Sequence, residues 1–188
     1  MARPPQRIII GITGGIAVYK VATVVSRLAQ RGDEVTVAMT EAAARFVTPL
    51  TFQALSGRPV YVSPWEHIES KDPQHISLAS KADLCVIAPC TMDCMAKLAT
   101  GRTDDVVTLI VSAIDRSRTP VLLAPSMNSV MWSQNSTRRN LATLMGDGFH
   151  TVGPEDGWQA CRHTGTGRMA EPESILAEID RLLSPATE

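Results

Sequence analysis

Apolar residues in this chain fall into two alternating patterns. "RIIIGITGG", "DEVTVAMT", "ADLCVIAP" and "TPVLLAP" are short apolar runs that end in glycine, proline or a hydroxyl residue. Runs of that length read as strands, and the continuously apolar ones as strands covered on both faces. Between them, apolar positions recur at helical spacing. "IAVYKVATVVSRLAQRG" predicts a helix stopped at Gly32, Thr40 and Glu41 open one through Phe46, and "PLTFQALSG" runs from Pro49 to Gly57. "RPVYVSPW" predicts a short strand, and a turn at Asp72 leads into a helix carrying His75 as far as Ala82. "TMDCMAKLATG" predicts a helix ending at Gly101, followed by helices over Asp104 to Ile114 and much of Asn128 to Met145. "FHTVGP" is the last expected strand, and Glu171 to Leu183 the last helix. Strands alternating with helices predict an α/β fold, a Rossmann-like (flavodoxin-like) open parallel sheet with helices on both faces.

"GWQACRHTGTGRMAEP", from Gly157 to Pro172, breaks the pattern. It has three glycines, a thiol and little apolar periodicity, a composition expected to form neither helix nor strand. It is expected to be a flexible flap over about residues 153–170 of a single domain spanning 1–188. Hydrophobic residues make up 44% and charged residues 20%, an ordinary globular balance. With a net charge of -1, 4% aromatics and no basic tract interleaved with aromatics, a nucleic-acid surface is excluded. Arg3 and Arg7 before an apolar run imitate a secretion signal, but Gly11, Gly14 and Gly15 interrupt the run. No apolar stretch is long enough to span a membrane, so a cytoplasmic protein is expected. Cys85 reads as core, and Cys90 and Cys94 lack the paired spacing of a zinc site, so no metal is expected.

Parallel sheets bind ligands beyond the carboxyl ends of their strands. There, "GITGG" places Gly14 and Gly15 where backbone amides could hold an anion at a helix start. It is not the dinucleotide fingerprint, and the second strand ends at Thr40 without the acidic residue that binds a ribose. A mononucleotide fits better than NAD, and a tight turn without ligand is the bland alternative. Thr91 can cap the next helix, while Asp93 can accept from a ligand ring N–H or hydroxyl. Asn128 can cap its helix or bind a carboxylate or a ligand ring carbonyl, and Met127 and Met131 can be plain filler. His75, by itself, reads as a surface or capping histidine.

Longer motifs change the weighting. "HISLASKADLCVIAPCTMDCMAKLATGRTDD", "P-x-M-N-x-x-M-W" at Pro125 to Trp132 and "A-C-x-x-x-G-x-G-R-M" at Ala160 to Met169 resemble the flavin-containing cysteine decarboxylases. Within that family the resemblance is to members acting in coenzyme A biosynthesis. It implies FMN-dependent conversion of 4'-phosphopantothenoylcysteine to 4'-phosphopantetheine by a carboxy-lyase. It also implies FMN contacts from Gly14, Gly15, Ile16, Thr40, Phe46, Pro89, Thr91 and Asp93. "PCTMDC" departs from the family's P-A-S-A-N-T form, with Asp93 in place of an amide. Substrate contacts are implied for Met127, Asn128, Met131, Ala160, Arg168 and Met169, and catalytic roles for His75 and Cys161. The resemblance implies a homotrimer or assembly of trimers with FMN at subunit contacts, and a phosphopantothenate–cysteine ligase, separate or fused, as partner. The alternatives are a peptidyl-cysteine decarboxylase and a non-catalytic FMN-binding subunit.

The implied chemistry explains why a thiol would sit in a flap. Loss of CO2 from a cysteine carboxylate leaves electrons that need a sink. Oxidation of the thiol-bearing carbon to a thioaldehyde provides one, and decarboxylation then leaves an enethiol. Returning the two electrons to reach the saturated thiol requires a proton donor at carbon, the role expected of Cys161. A peptidyl-cysteine decarboxylase stops at the enethiol and has no need of this thiol.

Overall fold

A computed structural model of the chain describes residues 4–66 and 74–184. Six strands, β1 (Arg7–Ile12), β2 (Glu34–Met39), β3 (Val60–Tyr61), β4 (Leu84–Cys90), β5 (Val121–Pro125) and β6 (His150–Thr151), pair in parallel in the order β3-β2-β1-β4-β5-β6. This is a doubly wound, Rossmann-like order, as the alternation of elements implied. The connections carry α1 (Val18–Gln30), α2 (Glu41–Ala44), α3 (Pro49–Ser56), α4 (Gln74–Lys81), α5 (Met92–Thr100), α6 (Val106–Ser112), α7 (Ser129–Ser133), α8 (Asn135–Gly146) and α9 (Pro172–Leu183). The turn expected at Asp72 lies outside the described residues.

The strands are apolar throughout because each face of the sheet has its own core, and successive side chains point to opposite faces. Ile8, Ile10 and Ile12 of β1, Leu84, Val86 and Ala88 of β4, and Leu122 and Ala124 of β5 meet Val18, Val21 and Val25 of α1, Phe52 of α3 and Ile175 and Ile179 of α9. Ile9, Cys85, Ile87, Val121 and Leu123 point the other way, into a core with Met95 of α5, Val107 and Ile110 of α6 and Leu144 of α8. Gly11 falls in this second register. A Cβ there would stand 2.6 Å from Ile87 Cδ1 and 2.8 Å from Val107 Cγ1, so its missing side chain lets α6 lie against the sheet. Burial pushes the Cys85 thiol up to about 12, which keeps it protonated as core filler.

The late segment differs from the expectation. It is not an irregular strip but a β-hairpin, β7 (Glu155–Trp158) and β8 (Thr164–Arg168), antiparallel and separate from the main sheet. "FHTVGP" therefore does not hold the last strand. Gly165 and Gly167 belong to β8 because a backbone without side chains can lie flat on the loop between β5 and α7. A Cβ on Gly165 would be 2.9 Å from Ser129 Cβ, and one on Gly167 would be 2.3 Å from the Met127 carbonyl oxygen.

Candidate active site

The strand order reverses between β1 and β4, and a crevice opens beyond the carboxyl ends of the strands at such a point. Here it is a cleft of about 1360 Å³ whose wall takes residues from the ends of β1, β2, β4 and β5 and from the hairpin. Thr13 ties its floor together. Its buried hydroxyl donates to the Pro89 carbonyl and accepts from the Thr91 amide at 3.1 Å. The glycine turn follows. The Gly15 amide donates to the Thr13 carbonyl, whereas those of Gly14, Ile16 and Ala17 make no hydrogen bond among the described residues. The two glycines differ in role. A Cβ on Gly14 would be 2.5 Å from Ala42 Cβ, so this glycine lets the turn close on α2. A Cβ on Gly15 would meet Thr91 and Pro89 only at ordinary contact, 3.5 and 3.6 Å.

Three polar residues stand at helix starts around the cleft, and each caps its helix as its position suggested. Thr40 Oγ1 accepts from the Ala43 amide at 3.2 Å, Thr91 Oγ1 from the Cys94 amide at 3.3 Å and Asn128 Oδ1 from the Val130 amide at 2.8 Å. Capping does not exhaust Asn128, whose Nδ2 donates to Cys161 Sγ at 3.0 Å. Asp93 is 74% exposed and pairs with Lys97 at 3.2 Å. Lys97, 17% exposed, also reaches Asp104 at 3.1 Å and Asp105 at 3.0 Å. Burial alone would lower the Lys97 pKa, but hydrogen bonds to Asp105, Asp104 and Asp93 outweigh it and raise it. The same contact holds Asp104 below its usual range. Beneath them, a hydrogen bond with Cys90, then burial, pushes the Cys94 thiol well up.

The hairpin closes one side. The Met127 amide donates to the Gly167 carbonyl at 2.9 Å, and Gln159, 7% exposed, fills the turn. Arg168 bridges Glu155 at 3.3 Å and Glu171 at 2.8 Å, and Lys20 of α1 joins Glu171 at 3.0 Å. The Lys20 hydrogen bond lowers the Glu171 pKa. Trp158, 65% exposed, and Trp65, 86% exposed, stand at the rim.

Most of the residues singled out from the sequence meet here. Gly14, Gly15, Ile16, Thr40, Thr91, Asp93, Met127, Asn128, Met131, Ala160, Cys161, Arg168 and Met169 all line the cleft. Three others do not. Pro89 lies under the floor behind Gly15, and Phe46 is half exposed outside the wall. His75 lines a separate pocket of about 210 Å³ with Tyr61, Leu78, Val106 and Ile110, which shares only Ser63–Trp65 with the cleft. Thr13, Lys20, Lys97, Trp158 and Gln159 were not singled out. Gln159 gave one usable signal, a large amide two residues before a thiol at the edge of a motif.

The model for the family described as Flavoprotein matches residues 2–184. The chain belongs to that family. It is 43% identical over 180 residues to the coenzyme A biosynthesis bifunctional protein CoaBC of Vibrio cholerae, covering 96% of this chain and 44% of that protein. This flavoprotein chain thus spans less than half the length of that relative. Among solved structures, a cysteine-to-serine mutant of PPC decarboxylase complexed with pantothenoylaminoethenethiol superimposes with a TM-score of 0.83 at 28% identity, over 95% of this chain and 98% of that one. The FMN binding protein AtHal3 gives 0.80 at 28% identity, over 95% and 96%. Among the described residues no helix is long and apolar enough to cross a membrane.

Proposed function

We propose that this flavoprotein is an FMN-dependent carboxy-lyase that converts 4'-phosphopantothenoylcysteine to 4'-phosphopantetheine in coenzyme A biosynthesis. The observation that carries the reading is the 3.0 Å contact between Asn128 Nδ2 and Cys161 Sγ in the cleft that the glycine turn also lines. A carboxylate-binding amide and a proton-bearing thiol then share one side of the reaction space. The role in coenzyme A biosynthesis that the Vibrio cholerae relative's name states, and the complex formed by the PPC decarboxylase mutant, support the substrate. Membership of the Flavoprotein family and the likeness to the FMN binding protein AtHal3 support the cofactor.

The cleft residues fit FMN. The partnerless amides of Gly14, Ile16 and Ala17 at the start of α1 suit its phosphate, and Thr40, Thr91 and Asp93 offer acceptors to its ring and ribityl groups. When bound, FMN supplies the two-electron oxidation of the substrate's thiol-bearing carbon and the later return of those electrons. The protein does the rest. Asn128 orients the carboxylate through the amide hydrogen not given to Cys161, and Met127 and Met131 keep water from it. Once CO2 has gone, Cys161 protonates the carbon that lost it. The S–H bond breaks, a C–H bond forms, the enethiolate becomes a thioaldehyde ready for re-reduction, and solvent reprotonates the thiolate.

His75 acts, in this reading, in the cleft of a neighbouring subunit. It lies apart from its own protomer's cleft, beside exposed Trp65 and Ile76, and these apolar side chains support a homotrimer with the cofactor at the contacts. The protein works in the cytoplasm beside a phosphopantothenate–cysteine ligase, on the same polypeptide or separate. The test is mass spectrometry of phosphopantothenoylcysteine incubated with the FMN-loaded protein. Loss of CO2 with no change in hydrogen count beyond it is expected. Substrate unchanged by a yellow, folded protein refutes the proposal.

A further inference from the structure

We infer that Gln159 is a positioning residue that fixes the Cys161 thiol, proton attached, against the start of α7. The inference extends the role of Cys161 and in that respect rests on the decarboxylase reading, but its physical core does not. A side chain as large and polar as glutamine is 7% exposed here and uses both ends of its amide. Oε1 accepts from the Ser129 amide at 3.1 Å and from Cys161 Sγ at 3.5 Å, within the range for sulfur donors. Nε2 donates to the Gly165 carbonyl at 3.2 Å. Its own backbone closes the turn, the amide on the His163 carbonyl and the carbonyl on the Arg162 amide, both at 2.9 Å. One residue therefore joins α7, both strands of the hairpin and the thiol. Losing the Gly165 bond would leave the buried Nε2 without a partner, and losing Oε1 would orphan the Ser129 amide.

The thiol is held from two sides with opposite electronic sense. Asn128 Nδ2 donates into the sulfur, whereas Gln159 Oε1 accepts the S–H. Without Gln159 the sulfur keeps only the donor. The proton that must reach carbon after CO2 has gone is then less well held, and the hairpin tip loses its registration on Ser129. The same residue thus stores the proton and sets where it sits.

The test reads the thiol directly. Cys85, Cys90 and Cys94 are buried, so native-state alkylation with iodoacetamide reports Cys161. Gln159→Leu removes the acceptor and should speed alkylation at neutral pH by about threefold, the worth of one neutral hydrogen bond. Gln159→Glu keeps an acceptor for Ser129 and the thiol but adds a negative charge. A carboxylate beside the sulfur opposes the thiolate that reacts with iodoacetamide, so alkylation should slow about tenfold. Simple loosening of the hairpin would speed both variants alike, so equal acceleration, or no change in either, overturns the inference. If Gln159→Leu fails to fold, the sign in Gln159→Glu decides; if Gln159→Glu fails, Gln159→Leu must speed alkylation without faster amide exchange in the hairpin, and acceleration of both rates overturns the inference. In the same variants, the ratio of unsaturated to saturated product should rise with Gln159→Leu, and an unchanged ratio also overturns it. If the wild type forms no decarboxylated product, the functional reading fails while the alkylation rates still judge Gln159.

Discussion

Gly167→Ala tests whether the hairpin is docked by its backbone. At φ +142° this residue sits where side chains are strained, a cost of about 1–3 kcal/mol. Its added Cβ would be 2.3 Å from the Met127 carbonyl oxygen and 3.0 Å from Gln159 Nε2, and the first of these is backbone that cannot swing aside. Relief requires β8 to retreat by roughly 1 Å to reach ordinary contact. That stretches the 2.9 Å bond from the Met127 amide to the Gly167 carbonyl, worth about 1 kcal/mol. The docked hairpin should weaken by about 2–4 kcal/mol, which raises the undocked population roughly 30-fold or more. The main sheet should hold, because the two cores are built from the central strands and their helices. The assay is amide hydrogen exchange of the segment containing Met127, with thermal unfolding as control. Gly32→Ala supplies the comparison, since Gly32 has φ +86° but nothing within 4 Å of an added Cβ. It should cost global stability about 1 kcal/mol and leave exchange at Met127 alone. Unchanged exchange in Gly167→Ala would refute docking through this contact.

Other expectations bear on the chemistry and the charges. Cys161→Ser should release CO2 from phosphopantothenoylcysteine yet accumulate a product two hydrogens short of the saturated thiol, read by mass spectrometry; normal product would make the thiol idle. His75→Asn and Asn128→Ala should each abolish turnover, and co-expression should restore about a quarter of activity by random pairing of intact halves, measured as CO2 release; no recovery would remove His75 from the neighbouring cleft. Asp104 and Glu171 titrate below their ordinary values of 3.8 and 4.5, so the unfolded chain binds their protons more readily. Their contribution is present above those values and lost as pH falls through and below them. Melting temperature should therefore fall with acid over that range, and Lys97→Met should flatten the part due to Asp104.

The parts of this fold legible in the sequence are those fixed by local rules. β4 and β5 are apolar without a break because helices cover both faces, and Thr91 and Asn128 announce helix starts through capping that the structure contains. The hairpin was not legible because its stability is not local. Gly165, Thr166 and Gly167 carry no alternating pattern, and they pair because their bare backbone fits against Met127 and Ser129, contacts fixed only once β5 and α7 are in place. Lys97 was missed for a related reason, since two of its three carboxylates, Asp104 and Asp105, arrive from the loop before α6. The helix bearing His75 was readable, but which cavity it would face depends on how α4 packs on α6.

The outermost strands of the sheet, β3 and β6, are two residues long. An edge that short presents too few unpaired amides and carbonyls to recruit another chain by backbone bonding. The edges of the main sheet therefore offer little backbone for another copy of this protein to extend. Any contact made there would rest on side chains, set by surface shape and apolar contact, which single substitutions can tune while the folding of each copy stays intact.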